Sequence, residues 1–192
     1  MPLILKEIGT IYSKEIIVKS VCKPNYAIID HLNEGVIQQK IATENYDYVI
    51  IQQGPSSQEE GRKMLLNDGK KIAEICFKYN TKLAYFMVWP SKKHYFTFDK
   101  VIANHTNAAT KNNALLFPVG IYWKEYQKLK GKTSLYSSDK FHPSKAGSFL
   151  AALTIFKQLY PKESLKKLHY NKVNFWIKNK ESFNTMIELI EN

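Results

Sequence analysis

A carboxylate and an imidazole stand three residues apart in the chain, at Asp139 and His142. An ionised carboxylate at this spacing can accept a hydrogen bond from Nδ1–H of the ring and leave Nε2 to take a proton. Pro143 restricts the backbone directly after the histidine and helps to hold the ring in place. The pair therefore predicts a general base. The structural alternative is that Asp139 caps a turn and His142 only begins the next helix.

Amides and hydroxyls form a second candidate group, directly after an apolar run that ends at Ile51. Donors at Gln53 and Ser56 could stabilise an oxyanion formed during acyl transfer. Gly54 lets the backbone approach a ligand closely or adopt a positive φ. A structural alternative also exists here, because Ser57 could simply cap the helix that follows.

Asn25 is the third candidate, after a predicted first strand. Asparagine tolerates the left-handed backbone conformation, and its N–H or its side-chain amide could also bind an oxyanion. Taken alone, it is equally typical of a turn.

The elements that must position these residues alternate between strand and helix periodicity. Strands are predicted at 15–21, 46–52, 83–89 and 114–118, with 46–52 and 83–89 buried on both faces. Helices are predicted from the first residue to about residue 12, and at 30–42 with Asp30 as N-cap, 59–79, 99–112, 143–159 and 173–190. This order favours one α/β domain over residues 1–192, with a parallel sheet between two helical layers. Ligands bind such sheets beyond the carboxyl ends of the strands, where the candidate residues lie.

Composition limits the function classes. The chain has 192 residues and a formal net charge of +11, a sign that favours anionic partners. Arg62 is the only arginine beside 27 lysines, and arginine is the usual bidentate reader of guanine and phosphate. We therefore expect no specific nucleic-acid partner. A lysine-rich nucleic-acid binder is kept as a minor alternative.

Several other classes lack their signatures. No apolar run reaches the roughly 18 residues that a membrane span needs, and no signal peptide opens the sequence. Two cysteines are too few for a disulfide scaffold. No phosphate-binding glycine loop and no zinc-ligand spacing occurs, so we expect no cofactor and no metal. The compartment and the oligomeric state stay open.

Three blocks of the sequence, in order, resemble the SGNH/GDSL esterase–acylhydrolase superfamily. They are YDYVIIQQGPSS at 46–57, YFMVWPS at 85–91, and DKFHPS at 139–144 followed by Gly147. The resemblance covers about residues 2–156. It implies a three-layer α/β/α domain with a flavodoxin-like parallel sheet, which hydrolyses carboxylic esters with a Ser–His–Asp triad. Asp139 and His142 would be the acid and base of that triad, and Asn25, Gln53, Gly54 and Ser56 would surround the oxyanion.

The chain also departs from that family. The family nucleophile is a serine in a Gly-Asp-Ser or Gly-Asn-Ser motif after the first, central strand, and neither motif occurs here. The sequence from Met1 instead resembles the helix that follows this motif. The family's oxyanion glycine appears as Asn25, and its asparagine position falls near Ser56. We therefore expect the sequence to begin inside a longer protein that carries the strand and the serine, and the chain as it stands to be inactive.

Two alternatives remain beside that expectation. The chain could be genuinely short, or it could be a catalytically inactive binding or interaction protein on the same scaffold. For the hydrolase, the polar residues at 52–58 favour a small ester substrate on a carbohydrate.

Overall fold

The computed structural model describes residues 1–54, 57–129 and 132–192. This part of the chain contains three β-strands and eight α-helices. The strands are β1 (Tyr48–Ile51), β2 (Lys82–Phe86) and β3 (Leu115–Phe117). The helices are α1 (Pro2–Ile11), α2 (Ile28–Glu34), α3 (Val36–Thr43), α4 (Glu59–Lys78), α5 (Phe98–Lys111), α6 (Val119–Gln127), α7 (Lys145–Leu159) and α8 (Lys180–Glu191). No helix within the described ranges is long and apolar enough to cross a bilayer.

The sheet is parallel and has the strand order β1-β2-β3. In its register Val49 lies opposite Leu83, and Tyr85 lies opposite both Ile51 and Leu116. Helices α4 and α5 connect successive strands, as parallel pairing requires. The predicted fold class, α/β with a parallel sheet, is confirmed.

The chain divides into two compact units, each of which is discontinuous in sequence. The first unit comprises Met1–Lys19, Ser91–Lys93 and Pro118–Asn192. The second comprises Ser20–Pro90 and His94–Phe117. Helices α1 and α6 to α8 therefore belong to the first unit, and the sheet with α2 to α5 belongs to the second.

Helix α7 forms the centre of the first unit, because α1, α6 and α8 all pack against it. Every residue from Phe149 to Phe156 is buried, so this helix is apolar on all sides. The ring of Phe156 lies 4.7 Å from that of Tyr12, which follows α1. Trp123 of α6 is completely buried.

The core of the second unit lies between the sheet and its helices. It contains Ile51 and Tyr85 from the strands, Leu65 and Ile72 from α4, and Ala108 from α5. The sequence prediction of a strand buried on both faces is confirmed for β2, whose residues from Leu83 to Phe86 are all buried.

The predicted strand at 15–21 is wrong, because residues 14–23 form no ladder with any described residue. Burial still alternates there, and Ile17 is 75% exposed. A β-branched run becomes a strand only where a neighbouring strand pairs with its backbone. The burial predicted for 46–52 is also wrong in part, since β1 is an edge strand and Ile50 keeps 40% of its exposure.

The single helix predicted at 30–42 is instead two helices. Gly35 adopts φ +75° between α2 and α3, and this left-handed residue ends the first helix. Asp30 is not the N-cap. It lies in the first turn of α2, where its Oδ2 accepts a hydrogen bond from the N–H of the true cap, Ala27, at 2.8 Å.

Other helix ends differ from the predictions as well. Helix α7 begins with Ser144 as its N-cap rather than at Pro143. The N-cap of α4 is Gln58, so the alternative that Ser57 caps this helix is wrong. The predicted helix at 173–190 begins only at Lys180. Helix α6 was not predicted. The helices α1, α4 and α5 agree with the prediction to within about one residue.

Candidate active site

The loop that carries Asp139 and His142 is closed like a hairpin in the first unit. Tyr136 and Pro143 form an isolated antiparallel bridge at its base. The Ser137 N–H donates to the His142 carbonyl at 2.9 Å, and the Ser144 N–H donates to the Leu135 carbonyl at 2.8 Å. These bonds fix both ends of the loop, so that its side chains are presented from a defined backbone.

The tip of the loop is a tight turn at Lys140. Its backbone is left-handed, with φ +60°, and its N–H donates to the Ser137 carbonyl at 3.1 Å. Its own carbonyl accepts a hydrogen bond from the Lys92 N–H at 2.9 Å. A left-handed lysine costs about 1–2 kcal/mol. The surrounding hydrogen bonds offset this cost and fix the direction of the turn.

Asp139 organises the loop through its carboxylate. Oδ1 accepts hydrogen bonds from the Ser137 hydroxyl at 2.6 Å and from the Phe141 and His142 N–H groups, both at 2.9 Å. Oδ2 lies 2.6 Å from His142 Nδ1. These donors, first the Ser137 hydroxyl and then the imidazole, hold the pKa of Asp139 well below its usual range. The carboxylate is therefore ionised at neutral pH.

The geometry also fixes the imidazole. An ionised carboxylate only accepts hydrogen bonds, so Nδ1 of His142 must carry the proton and Nε2 has the lone pair of a neutral ring. The side chain is 70% exposed. Within the described ranges no hydrogen-bond partner of Nε2 is found, and no serine hydroxyl bonds to it. The ring can therefore accept a proton from a molecule that approaches through solvent.

Helix α7 anchors the loop from below. The Ser144 hydroxyl caps the helix by accepting the Gly147 N–H at 3.1 Å, and it donates to the Ser134 carbonyl at 2.7 Å. Gly147 has no room for a side chain, because a Cβ there would lie 2.2 Å from the Leu135 carbonyl oxygen. The motif Pro143-Ser144 with Gly147 thus packs the loop tightly onto the helix.

Ser137 was not predicted as part of the site. Its hydroxyl makes one of the two shortest hydrogen bonds to Asp139, at 2.6 Å. A serine two residues before an aspartate is a turn signal, and this pattern could have identified it.

The remaining candidate residues lie in the second unit. Asn25 has φ +62°, in the left-handed region, and is exposed. It lines an open cleft of about 450 Å³ together with Tyr26, Asp30 and Glu34. The Glu34 carboxylate accepts hydrogen bonds from the Tyr26 hydroxyl, at 2.8 Å, and from the Lys23 ammonium group.

Gln53 follows β1 and is buried. Its Oε1 accepts the Ile28 N–H at 3.2 Å, so the side chain satisfies a donor in the first turn of α2. Gly54 does not have a positive φ, and a Cβ there would meet no atom of the described residues within 4 Å. The left-handed conformation considered for this glycine is therefore not observed, and the close approach of a ligand to its backbone stays a prediction. Ser56 lies outside the described residues.

The described residues hold no group of three or more histidine, cysteine, aspartate or glutamate side chains that could bind a metal ion. The contact between Asp139 and His142 orients an imidazole, and the chemistry that this arrangement offers is proton transfer.

Comparison with known proteins gives a result at the level of the fold. No family model matches the chain, and no curated protein matches it. A solved structure described as "a putative SGNH hydrolase from Slackia heliotrinireducens" matches with a TM-score of 0.68 and 20% sequence identity. The match covers 81% of this chain and 90% of that one. The chain therefore has the fold of an SGNH hydrolase.

Proposed function

We propose that this chain belongs to an enzyme that hydrolyses carboxylic esters, with His142 as general base and Asp139 as its orienting carboxylate. The observation that carries the proposal is the 2.6 Å contact between Asp139 Oδ2 and His142 Nδ1, in an imidazole side chain that is 70% exposed. The fold and the resemblance in three sequence blocks support the same chemistry.

In the proposed reaction a serine hydroxyl attacks the ester carbonyl carbon, and Nε2 of His142 takes the hydroxyl proton. Asp139 stabilises the imidazolium that forms. When the tetrahedral intermediate collapses, the imidazolium returns the proton to the leaving alcohol, and an acyl-serine remains. A water molecule then releases the acid by the same two proton transfers.

The resemblance alone supplies two further parts of this proposal. The oxyanion would be held by donors at Asn25, Gln53, Gly54 and Ser56. The left-handed backbone of Asn25 supports this role. Gln53 Oε1 accepts the Ile28 N–H, and the amide N–H groups of Gln53 would be its donors to an oxyanion. The nucleophile would be the serine of a Gly-Asp-Ser or Gly-Asn-Ser motif, which this sequence lacks. We therefore expect the chain by itself to have no serine-dependent turnover.

A first experiment tests the imidazole in the chain as it is. The exposed Nε2 of His142 should accept the acetyl group of p-nitrophenyl acetate slowly and release p-nitrophenolate. The variant His142→Gln should react more slowly than the wild type, whereas His94→Gln, at another exposed histidine, should react at the wild-type rate. Equal rates in the two variants would contradict the assignment of His142.

A second experiment supplies the nucleophile. A short β-strand that ends in Gly-Asp-Ser is fused before Met1, and the product is treated with a fluorophosphonate probe. The new serine should be labelled, and His142→Ala should lower ester turnover by roughly 10⁴-fold or more. Changing the new serine to alanine is the matched control. A folded fusion protein that hydrolyses esters equally well without His142 would refute the proposal.

One observation favours a second candidate function, that of a non-catalytic binding protein on the same scaffold. Among the described residues no hydroxyl is placed for His142 to activate. This candidate predicts no labelling of the fusion protein and no His142-dependent ester turnover by it.

A further inference from the structure

The segment before α8 is strongly basic. Residues 161–180 contain six lysines and one glutamate, a net charge of +5 in twenty residues. Of these lysines, Lys166, Lys172, Lys178 and Lys180 form no ion pair with any described residue. A concentration of unpaired positive charge in one segment favours an anionic ligand.

An exposed aromatic ring belongs to the same basic segment. Val173 and Ile177 are buried and anchor the segment, while Phe175 between them is 57% exposed. The Trp176 N–H donates to the Val173 carbonyl at 2.9 Å, and its indole Nε1 donates to Glu7 at 2.5 Å. The neighbouring residues thus hold the backbone, and the Phe175 ring is presented to solvent on a fixed support.

Two ammonium groups flank that ring. Lys145 Nζ lies 4.0 Å from the Phe175 ring centroid, and Lys178 Nζ lies 5.7 Å from it. Cation–π contact orients both groups but leaves their N–H donors available. Lys145 forms no ion pair with a described residue, and it is the first residue of α7, where the helix dipole disfavours a cation. We call Phe175, Lys145 and Lys178 the Phe175 patch.

A cleft of about 390 Å³ lies close to the patch in the same unit. The residues that line it include Tyr170, Asn171, Lys180 and Asn184. The Tyr170 hydroxyl donates to the backbone carbonyl of Lys178 at 2.6 Å, which joins the cleft to the patch. Aromatic rings, amides and ammonium groups suit the faces, hydroxyls and carboxylates of acidic sugars.

The patch also lies near the proposed base along the chain, since Lys145 follows His142 by three residues. A nucleic acid is disfavoured as the ligand because the first unit contains no arginine for bidentate contacts to phosphate or guanine. We infer that the Phe175 patch and the adjoining cleft bind an anionic polysaccharide that carries the ester group. This inference rests on the proposed function and names its substrate class.

The test is binding to sodium polygalacturonate, with neutral dextran as the uncharged comparison. Affinity electrophoresis and calorimetry measure the binding. The wild-type chain should bind polygalacturonate and not dextran. Phe175→Ala and the double variant Lys145→Gln/Lys178→Gln should each weaken binding about tenfold, which corresponds to about 1.4 kcal/mol. The double variant Lys100→Gln/Lys111→Gln removes the same charge from α5 and should bind like the wild type.

Three results would overturn the inference: equal binding to dextran, equal weakening by the two double variants, or tighter binding to double-stranded DNA through the same patch. Since binding needs no hydrolysis, His142→Gln should bind polygalacturonate normally. If the fusion protein that carries the added serine shows no His142-dependent ester hydrolysis while polygalacturonate binds normally, the proposed function alone is refuted. If the fusion protein hydrolyses esters with the help of His142 but polygalacturonate does not bind, this inference alone is refuted.

Discussion

Replacing Gly147 with alanine should loosen the loop that holds Asp139 and His142. The added Cβ would lie 2.2 Å from the Leu135 carbonyl oxygen and 2.7 Å from the nearest ring atom of Trp123. Both neighbours are completely buried, and the Leu135 carbonyl already accepts the Ser144 N–H. The backbone at Leu135 must therefore move away from α7, and the bridge at the base of the loop moves with it.

The expected loss of stability can be estimated from two opposing effects. Overpacking in a dense core costs about 1–3 kcal/mol, and a contact of 2.2 Å with backbone belongs at the upper end of that range. Alanine is favoured over glycine inside a helix by about 1 kcal/mol. The net loss is about 2 kcal/mol in the free energy of unfolding. For a chain of this size, the melting temperature should fall by roughly 4–8 °C.

Two measurements check this prediction. Thermal unfolding followed by circular dichroism gives the melting temperature, and the NMR signal of the His142 Nδ1 proton reports whether the contact with Asp139 persists. Ser148→Ala, in the same turn of α7, is the matched control and should change stability by no more than about 0.5 kcal/mol. An unchanged or higher melting temperature for Gly147→Ala would show that the close contact with Leu135 does not exist.

Three further predictions concern single polar groups. Ser137→Ala should raise the pKa of Asp139 toward its ordinary value of about 3.9, because the hydrogen bond from the Ser137 hydroxyl is the largest cause of the low pKa. NMR titration of the carboxyl group measures this pKa, and an unchanged value would be inconsistent with that hydrogen bond. Burial lowers the pKa of His105 below that of the unfolded chain, so the free energy of unfolding should fall as the pH drops below about 6.5. Urea unfolding at pH 7 and pH 5 should show a smaller loss of stability for His105→Leu than for the wild type. An equal loss in the two proteins would argue against a role of His105. Tyr85→Phe should lower the free energy of unfolding by about 1–3 kcal/mol, since it removes the buried hydroxyl that bonds to the Leu65 carbonyl and the Asn112 amide. Urea unfolding measures this loss, and an unchanged stability would contradict that hydrogen-bond network.

The candidate base could be predicted because its parts are close together in sequence. Asp139 and His142 are three residues apart, so a single turn is enough to bring the carboxylate to the ring. The network around Asp139 was less accessible. The Phe141 and His142 N–H groups approach Oδ1 from the far side of Lys140, whose left-handed conformation nothing in a lysine side chain favours.

The long helices α4 and α5 were predictable for a similar reason, since their apolar residues recur with helical period over many turns. Short elements were not. The run at 15–21 has the β-branched composition of a strand, but no described strand pairs with it. Gly35 divides one predicted helix into two, because its left-handed backbone ends α2 even though the helical pattern of apolar residues continues.

The sequence by itself determined the local properties of this protein: the helical and strand periodicities, the Asp139–His142 spacing and the excess of lysine. Each depends on residues within a few positions of one another, where covalent connectivity limits the possible geometry. Only the tertiary structure decided which strands pair, that Gly147 must stay without a side chain against Leu135, and that Phe175 lies between Lys145 and Lys178. These features join residues that are distant in sequence, and their positions are set by the packing of the whole core.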